Sequence, residues 1–317
     1  MPPHLSIVIP VYRAVECLDE LHRRLTDALK PLTSDYELIL VEDGGEDGSW
    51  ERMAELASQD PRLKAVKMSR NFGQHYAITA GLDLSSGDWI VVMDCDLQDQ
   101  PEEIPRLHAK AAEGYDIVMG RRLQRKDTLG RRLSSWLFVR IYNWLGDIKT
   151  DGSISNFSIS SRRVIDSVLR YRERNRSLPL LLASAGFKST AIDVEHAPRF
   201  AGRSSYSFWK LADFALQCIV SQSDKPLRLS IKAGFALAAF SAALAAWLVL
   251  RYFFYGVGVQ GWTSIMVLIS FFFGLLFANL GIIGLYIGKI FDEVKHRPLY
   301  CVETAINVEA PPARWRS

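Results

Sequence analysis

Residues 89–98 read Trp-Ile-Val-Val-Met-Asp-Cys-Asp-Leu-Gln: a short uncharged apolar run ending on two carboxylates set one residue apart. A run of this length and β-branched content predicts a buried strand. In extended chain Asp94, Asp96 and Gln98 project to one side, so two carboxylates and an amide oxygen converge at the strand end. Such hard oxygen donors suit Mg²⁺ or Mn²⁺, with waters and substrate phosphates completing the shell. Cys95 then points the other way, into packing. An acidic pair of this kind is a weak signal alone, because acidic turns are common. Its weight comes from its place after a buried strand and from what precedes it.

Upstream, apolar runs alternate with helical, charged stretches. Leu5–Pro10 reads as a strand, Glu16–Leu29 as a helix, Tyr36–Glu42 as a strand, Trp50–Ser58 as a helix, Leu63–Met68 as a strand and Tyr76–Leu84 as a helix, before the strand at Trp89–Met93. The alternation implies an α/β domain with a mostly parallel sheet, and ligands of such sheets sit beyond the carboxyl ends of the strands. The unusual polar residues stand there: Pro10-Val11-Tyr12, Glu42-Asp43-Gly44, Ser69-Arg70-Asn71 and Asp94-Cys95-Asp96. The carboxylates of Glu42 and Asp43 suit hydrogen bonds from a nucleobase or ribose, whereas Asp47 and Ser49 read as helix N-cap residues.

The chain of 317 residues carries 38 basic and 35 acidic side chains, a net charge of +3 that does not suggest nucleic acid as a partner. Met1–Tyr12 lacks a basic leading region and reads as a first strand, not a signal peptide. Cys17, Cys95, Cys218 and Cys301 have no zinc or redox spacing and read as reduced thiols. Near residue 226 the character changes. Residues 231–255 hold only Lys232 and Arg251 as charges, and 263–288 hold none. At about 1.5 Å per residue the first stretch reaches roughly 37 Å, enough for a hydrocarbon core of about 30 Å. The expected division is a domain over 1–226, a transmembrane hairpin over 227–297 and a loose tail over 298–317. Lys225, Arg228, Lys232, Lys289, Lys295 and Arg297 flank the outer ends of the spans and Arg251 alone the connector side, which predicts both termini in the cytoplasm at the plasma (inner) membrane. Gly274, Ala278, Gly281, Gly284 and Gly288 form a small-residue stripe for close packing, within the hairpin or in a homo-oligomer.

Together these residues resemble the inverting family-2 glycosyltransferases of GT-A fold, in the polyprenyl-phosphate branch. Ser6–Tyr12 is similar to the family's opening strand and Val41–Ser49 to its acidic glycine turn. Ser69–His75 with Thr79–Leu82 is similar to the RNxG…AGL segment, and Asp94–Gln98 with Asp99 and Pro101 to the DxDLQDxP signature. The resemblance spans about residues 5 to 297. It implies that Pro10, Tyr12, Glu42, Asp43 and Asn71 hold the nucleotide. It also implies that Asp94 faces the donor sugar and diphosphate, and that Asp96 and Gln98, with Asp94, hold Mg²⁺ or Mn²⁺. Arg13-Ala14 stands where the family has Asn-Glu, with Glu16 as a substitute carboxylate, and Ser205 replaces a usual lysine in Arg199–Tyr206.

The implied reaction moves a sugar from a nucleotide-diphosphate donor, a UDP-sugar by preference, to polyprenyl (undecaprenyl) phosphate. A phosphate acceptor has a second pKa near 6 and needs no general base, only positioning cations. Arg121 and Arg199 are the candidates, while Arg131 and Arg132 suit anionic headgroups of the bilayer. Residues 131–146 and 207–221 read as aromatic-rich helices, lying in the interface or packed in a core. Asn156-Phe157-Ser158 falls where the resemblance implies a loop near sugar and acceptor, and His75 reads as a donor-phosphate contact or a plain loop residue. Two competing readings are a processive polysaccharide synthase of the same fold, whose QxxRW motif is missing, and a non-catalytic membrane scaffold, against which the intact Asp94/Asp96/Gln98 set argues.

Overall fold

The structure is a computed structural model that describes residues 5–122, 140, 154–174, 176–195, 197, 223–255 and 261–308. The chain divides into two compact units, one comprising Met1–Val139, Thr150–Tyr206 and Arg297–Ser317, the other Arg140–Lys149 and Ser207–His296.

In the first unit, β1 (Leu5–Val11) and β2 (Tyr36–Glu42) are buried along their whole length, as their apolar runs demand. With β3 (Leu63–Met68) and β4 (Trp89–Val92) they form a parallel core in the order β4-β1-β2-β3. The helices between them are α1 (Leu18–Leu29), entered through a 3-10 turn at Val15–Cys17, α2 (Ser49–Gln59) and α3 (Gln74–Leu84). The helix expected from Glu16 therefore becomes regular only at Leu18. α4 (Ile104–Ala112) leads to β5 (Ile117–Arg122), and β6 (Ile154–Ser161) inserts antiparallel between β4 and β5. α5 (Arg162–Val168), α6 (Leu178–Ser184) and β7 (Ser189–Val194) follow, β7 lying parallel to β5. The expected α/β sheet is present, as a mostly parallel mixed sheet of eight strands, β7-β5-β6-β4-β1-β2-β3-β8.

The last of these strands departs from expectation. Residues 302–306, read as part of a loose tail, form β8 (Val302–Ile306), antiparallel to β3. Alternation of Val302, Thr304 and Ile306 suits an edge strand, but such a short run after an apolar helix carries no signal of which sheet it joins.

Gly81 explains how closely α3 lies on the sheet. A Cβ at that position would stand 2.4 Å from Val8 Cγ1. At the amino ends of the strands, Glu37 is buried and accepts from Ser6 Oγ at 2.5 Å, from the Ser86 N–H at 2.7 Å and from Lys64. These donors outweigh a burial that alone would raise its pKa, so the carboxyl sits below its ordinary value.

The second unit contains α7 (Lys225–Tyr255) and α8 (Trp262–Val294), of 31 and 33 residues. Both are long and apolar enough to cross a membrane. Large apolar side chains such as Phe235, Trp247, Phe271 and Phe277 are exposed along them. The helices are tied by Ser230 Oγ donating to Asn279 Oδ1, and Tyr286 Oη donates to the Ser223 carbonyl at 2.8 Å. The glycine stripe does not pack within the hairpin. A Cβ added at Gly274, Gly281, Gly284 or Gly288 would meet nothing within 4 Å. The helices expected at 131–146 and 207–221 lie, but for Arg140, outside the described residues.

Candidate active site

The four strand ends interlock. β1 exits into Tyr12, whose ring is 47% exposed, and Arg13, whose guanidinium stands over that ring and whose Nε donates to the Gly45 carbonyl at 3.3 Å. β2 exits into Glu42-Asp43-Gly44-Gly45. Gly44 has φ +69°, and a Cβ there would stand 2.5 Å from the Asn71 backbone nitrogen, so only glycine lets the second strand end close onto the third. Asp47 accepts from the N–H groups of Val15 and Ser49, both at 3.2 Å, and so ties the β1 exit to the start of α2, whose N-cap is Gly48 and neither Asp47 nor Ser49. Glu16, offered as a substitute carboxylate, is exposed.

Asp43 does not present a free carboxylate to a base. Its oxygens accept from the Phe72 N–H at 2.7 Å and the Gly73 N–H at 2.8 Å, pinning the β3–α3 loop. Burial pushes its pKa up to about 6, against those two donors and with the Glu42 charge adding to the rise. Glu42 is the carboxylate with spare capacity. One oxygen accepts from the Gly45 N–H, while Oε2 is buried with no hydrogen-bond partner. A buried acceptor without a donor is costly, and a ligand hydroxyl or N–H is a physical reason for it to persist.

Gln74, the first residue of α3, donates from Nε2 to Asp94 Oδ1 at 2.6 Å, joining the third strand end to the fourth. The Tyr12 N–H reaches the Cys95 sulfur and joins the first, and burial pushes the Cys95 thiol up to about 12. Cys95 packs against the core as expected. The extended alternation expected of residues 94–98 is not found. β4 ends at Val92, and Leu97, only 2% exposed, adopts φ +58°. Burial of the Leu97 side chain forces the left-handed turn, in which Asp96 Oδ1 accepts from the Gln98 N–H at 3.1 Å. The Gln98 carbonyl accepts from the Ala197 N–H at 3.0 Å, which ties Ala197 to the turn.

A divalent ion fits this donor set in kind. Asp94 and Asp96 bring two half-buried carboxylates within four residues of one strand end, and carboxylates are the usual protein share of a Mg²⁺ or Mn²⁺ shell. Among the described residues no three His, Cys, Asp or Glu side chains gather as a metal set. Beside the two carboxylates, the Gln98 amide is a further oxygen donor at this turn, and water and phosphate commonly complete such a shell.

The expected cations fare differently. Arg121 Nε donates to Asp193 Oδ1 at 2.6 Å across β5 and β7, at the carboxyl end of β5 and two strands away from β4. Arg199 lies outside the described residues, as do Arg131 and Arg132. Asn156-Phe157-Ser158, expected as a loop, belongs to β6, with Phe157 fully buried and Ser158 opposite Val92. Its antiparallel course still starts β6 on the edge where β4 ends. His75 is held down to about 4 by burial and by the Arg176 charge, so its ring is neutral near pH 7 and brings no charge to a phosphate. Arg176, which sequence reading did not single out, is 5% exposed and donates to Thr79 Oγ1 at 3.0 Å and to the Tyr171 carbonyl. Nothing in the Arg-rich run 170–176 marks it apart from its exposed neighbours.

A mostly parallel α/β sheet with an acidic turn closing its fourth strand is here joined in one chain to two apolar helices long enough to cross a membrane. The chain belongs to the glycosyl transferase family 2, whose model matches residues 6–172. It is 36% identical over 313 residues to an uncharacterised glycosyltransferase of Synechocystis sp., covering 98% of each chain. It is 35% identical to the undecaprenyl-phosphate 4-deoxy-4-formamido-L-arabinose transferase of Proteus mirabilis, covering 97% of this chain and 95% of that one. The corresponding Photorhabdus laumondii transferase is 37% identical, with coverage of 95% and 94%. Among solved structures, a Mycobacterium tuberculosis glucosyl-3-phosphoglycerate synthase with Mn²⁺, UDP-glucose and phosphoglyceric acid aligns at TM-score 0.47 and 18% identity, over 69% of this chain and 78% of that one.

Proposed function

We propose that this protein transfers one sugar from a nucleotide-diphosphate donor, a UDP-sugar by preference, to a polyprenyl phosphate such as undecaprenyl phosphate, with inversion at the anomeric carbon. The observation that carries the reading is the union in one chain of the interlocked acidic strand ends with two bilayer-length apolar helices. Relatives named as undecaprenyl-phosphate transferases match that union over nearly their whole length.

The Glu42 Oε2 atom and the Tyr12 ring suit the base and ribose, with Pro10 and Asn71 beside them. Asp43 acts by holding the loop that carries Asn71. Asp94, oriented by Gln74, faces the donor sugar and diphosphate. Asp96 and Gln98, with Asp94, are the residues that would hold Mg²⁺ or Mn²⁺, whose charge would neutralise the departing diphosphate. The acceptor phosphate is already anionic near pH 7 and attacks in line without a protein base. Arg199 and Arg121, the latter half-exposed and bonded to Asp193 through Nε, are the candidates for orienting it.

The topology reading gains independent support. β8 follows the second apolar helix and pairs with β3, which precedes the first, and this pairing supports a reading in which the chain crosses the bilayer an even number of times. The basic flanks then favour the cytoplasmic face.

The test is transfer of label from a panel of UDP- and GDP-sugars into undecaprenyl phosphate with Mg²⁺ or Mn²⁺. One sugar should enter the lipid phase with inverted configuration, and Asp96→Ala should lower kcat by about a hundredfold or more. A retained anomer would overturn the single-displacement mechanism. A label that never moves although UDP binds would overturn the acceptor.

A further inference from the structure

The segment after the second apolar helix is built into the first unit at several points. Leu299 and Tyr300 are each 7% exposed and join the core on the α3 side of the sheet. Tyr300 Oη donates to Asp83 Oδ2 of α3 at 2.6 Å. The Ser69 N–H donates to the Cys301 carbonyl at 3.0 Å. β8 then runs along β3 with Thr304 opposite Lys67, and Lys67 Nζ lies 3.3 Å from a Glu303 carboxylate oxygen. Asn307, at φ +60°, donates from Nδ2 to the Ala57 and Leu63 carbonyls at 2.7 and 2.8 Å. The tail thus grips both ends of β3 and the C-terminal end of α3.

Those are the two elements that flank the Ser69–Gly73 loop. The loop supplies both N–H donors to Asp43, and the residue after it, Gln74, orients Asp94. We propose that residues 299–307 are a positioning part of the donor site: they set the Ser69–Gly73 loop, so that nucleotide binding depends on chain that follows the membrane helices. The inference rests on the nucleotide reading of the strand ends given above. Its physical basis is that β3 would otherwise be an unpaired sheet edge, and a loop leaving a free edge strand samples more conformations than one leaving a paired strand. The site is then completed only after the second helix has been made, and the hairpin has to return its far end to the compartment of the sheet.

The experiment compares the full chain in detergent with a chain ending at Pro298 and with the double variant Tyr300→Phe/Asn307→Gly. The readouts are amide hydrogen exchange and the affinity for UDP with Mn²⁺ by calorimetry. In the truncated chain, exchange over residues 69–76 should quicken and UDP affinity should fall, each by about tenfold, with β1 and β2 still protected. A peptide of residues 299–308 added in excess should restore both. The double variant should move both readouts in the same direction by less. Unchanged loop exchange and affinity in the truncated chain overturn the proposal. Where truncation deprotects the whole unit, the double variant decides, and loop exchange equal to that of the intact chain overturns it. A full chain that binds no UDP would sink the nucleotide reading, while loop exchange would still decide whether the tail holds the loop.

Discussion

The Glu42 carboxylate keeps one oxygen on the Gly45 N–H and buries the other without a partner, while its neighbour Asp43 spends both oxygens on the Phe72 and Gly73 amides. The pair therefore divides into a group with an unpartnered oxygen and a loop-holding group. Glu42→Gln should keep the fold and weaken UDP binding about tenfold, roughly the worth of one hydrogen bond to a charged acceptor; calorimetry measures it, and an unchanged affinity would remove Glu42 from the nucleotide site. Asp43 makes a prediction about pH. Its pKa rises from 3.8 to about 6, so the folded state binds the extra proton. Its contribution to stability then declines as pH rises from about 4 through 6, costing roughly 3 kcal/mol at neutral pH. Loop holding runs the other way, because a protonated carboxyl is a poorer acceptor for two amides. Between pH 7.5 and 5, UDP affinity should fall while this group's share of the thermal midpoint rises, and Asp43→Asn should flatten both trends. Parallel movement of the two would contradict the assignment. Glu42, Asp43, Asp94 and Asp96 were all legible as strand-end carboxylates, but their division of labour was not, because it depends on which amides from residue 72 onward reach which oxygen.

Among elements, α3 is the piece on which the site turns. It starts at the Ser69–Gly73 loop, orients Asp94 through Gln74, and lies on β1 at Gly81. Gly81→Ala would place a methyl 2.4 Å from Val8 Cγ1. Over-packing of this kind costs about 1–3 kcal/mol, offset in part by a helix propensity gain of up to about 1 kcal/mol. A lowered thermal midpoint is expected, with kcat falling further than stability alone requires; an unchanged midpoint would mean that α3 is free to shift. The turn after β4 shows the limit of periodicity. A strand template predicts alternation over 94–98, and a single buried leucine at 97 replaces it with a left-handed turn. Periodicity carries no information about a residue whose side chain leaves the strand to fill a core.

For the whole molecule, the testable matter is sidedness. Cys301 is an exposed free thiol, whereas Cys17 is buried and the Cys95 thiol is pushed up to about 12. In a Cys218→Ser background a membrane-impermeant maleimide should therefore label Cys301 almost alone, in inverted vesicles and not from the outer face of intact cells. Labelling from outside would reverse the topology.

The sequence by itself determined the α/β alternation, the strand ends that bear the acidic residues and the two bilayer-length helices. These follow from local composition and period, which need no knowledge of neighbours. Only the tertiary structure decided that β6 inserts antiparallel beside β4, that Arg121 is engaged by Asp193, that Arg176 is buried against α3, and that the tail returns as β8 to the edge of β3. Each of these pairs residues far apart in the chain. Which edge a strand joins and which carboxylate a cation meets are settled by competition among long-range contacts, and no local pattern records its outcome.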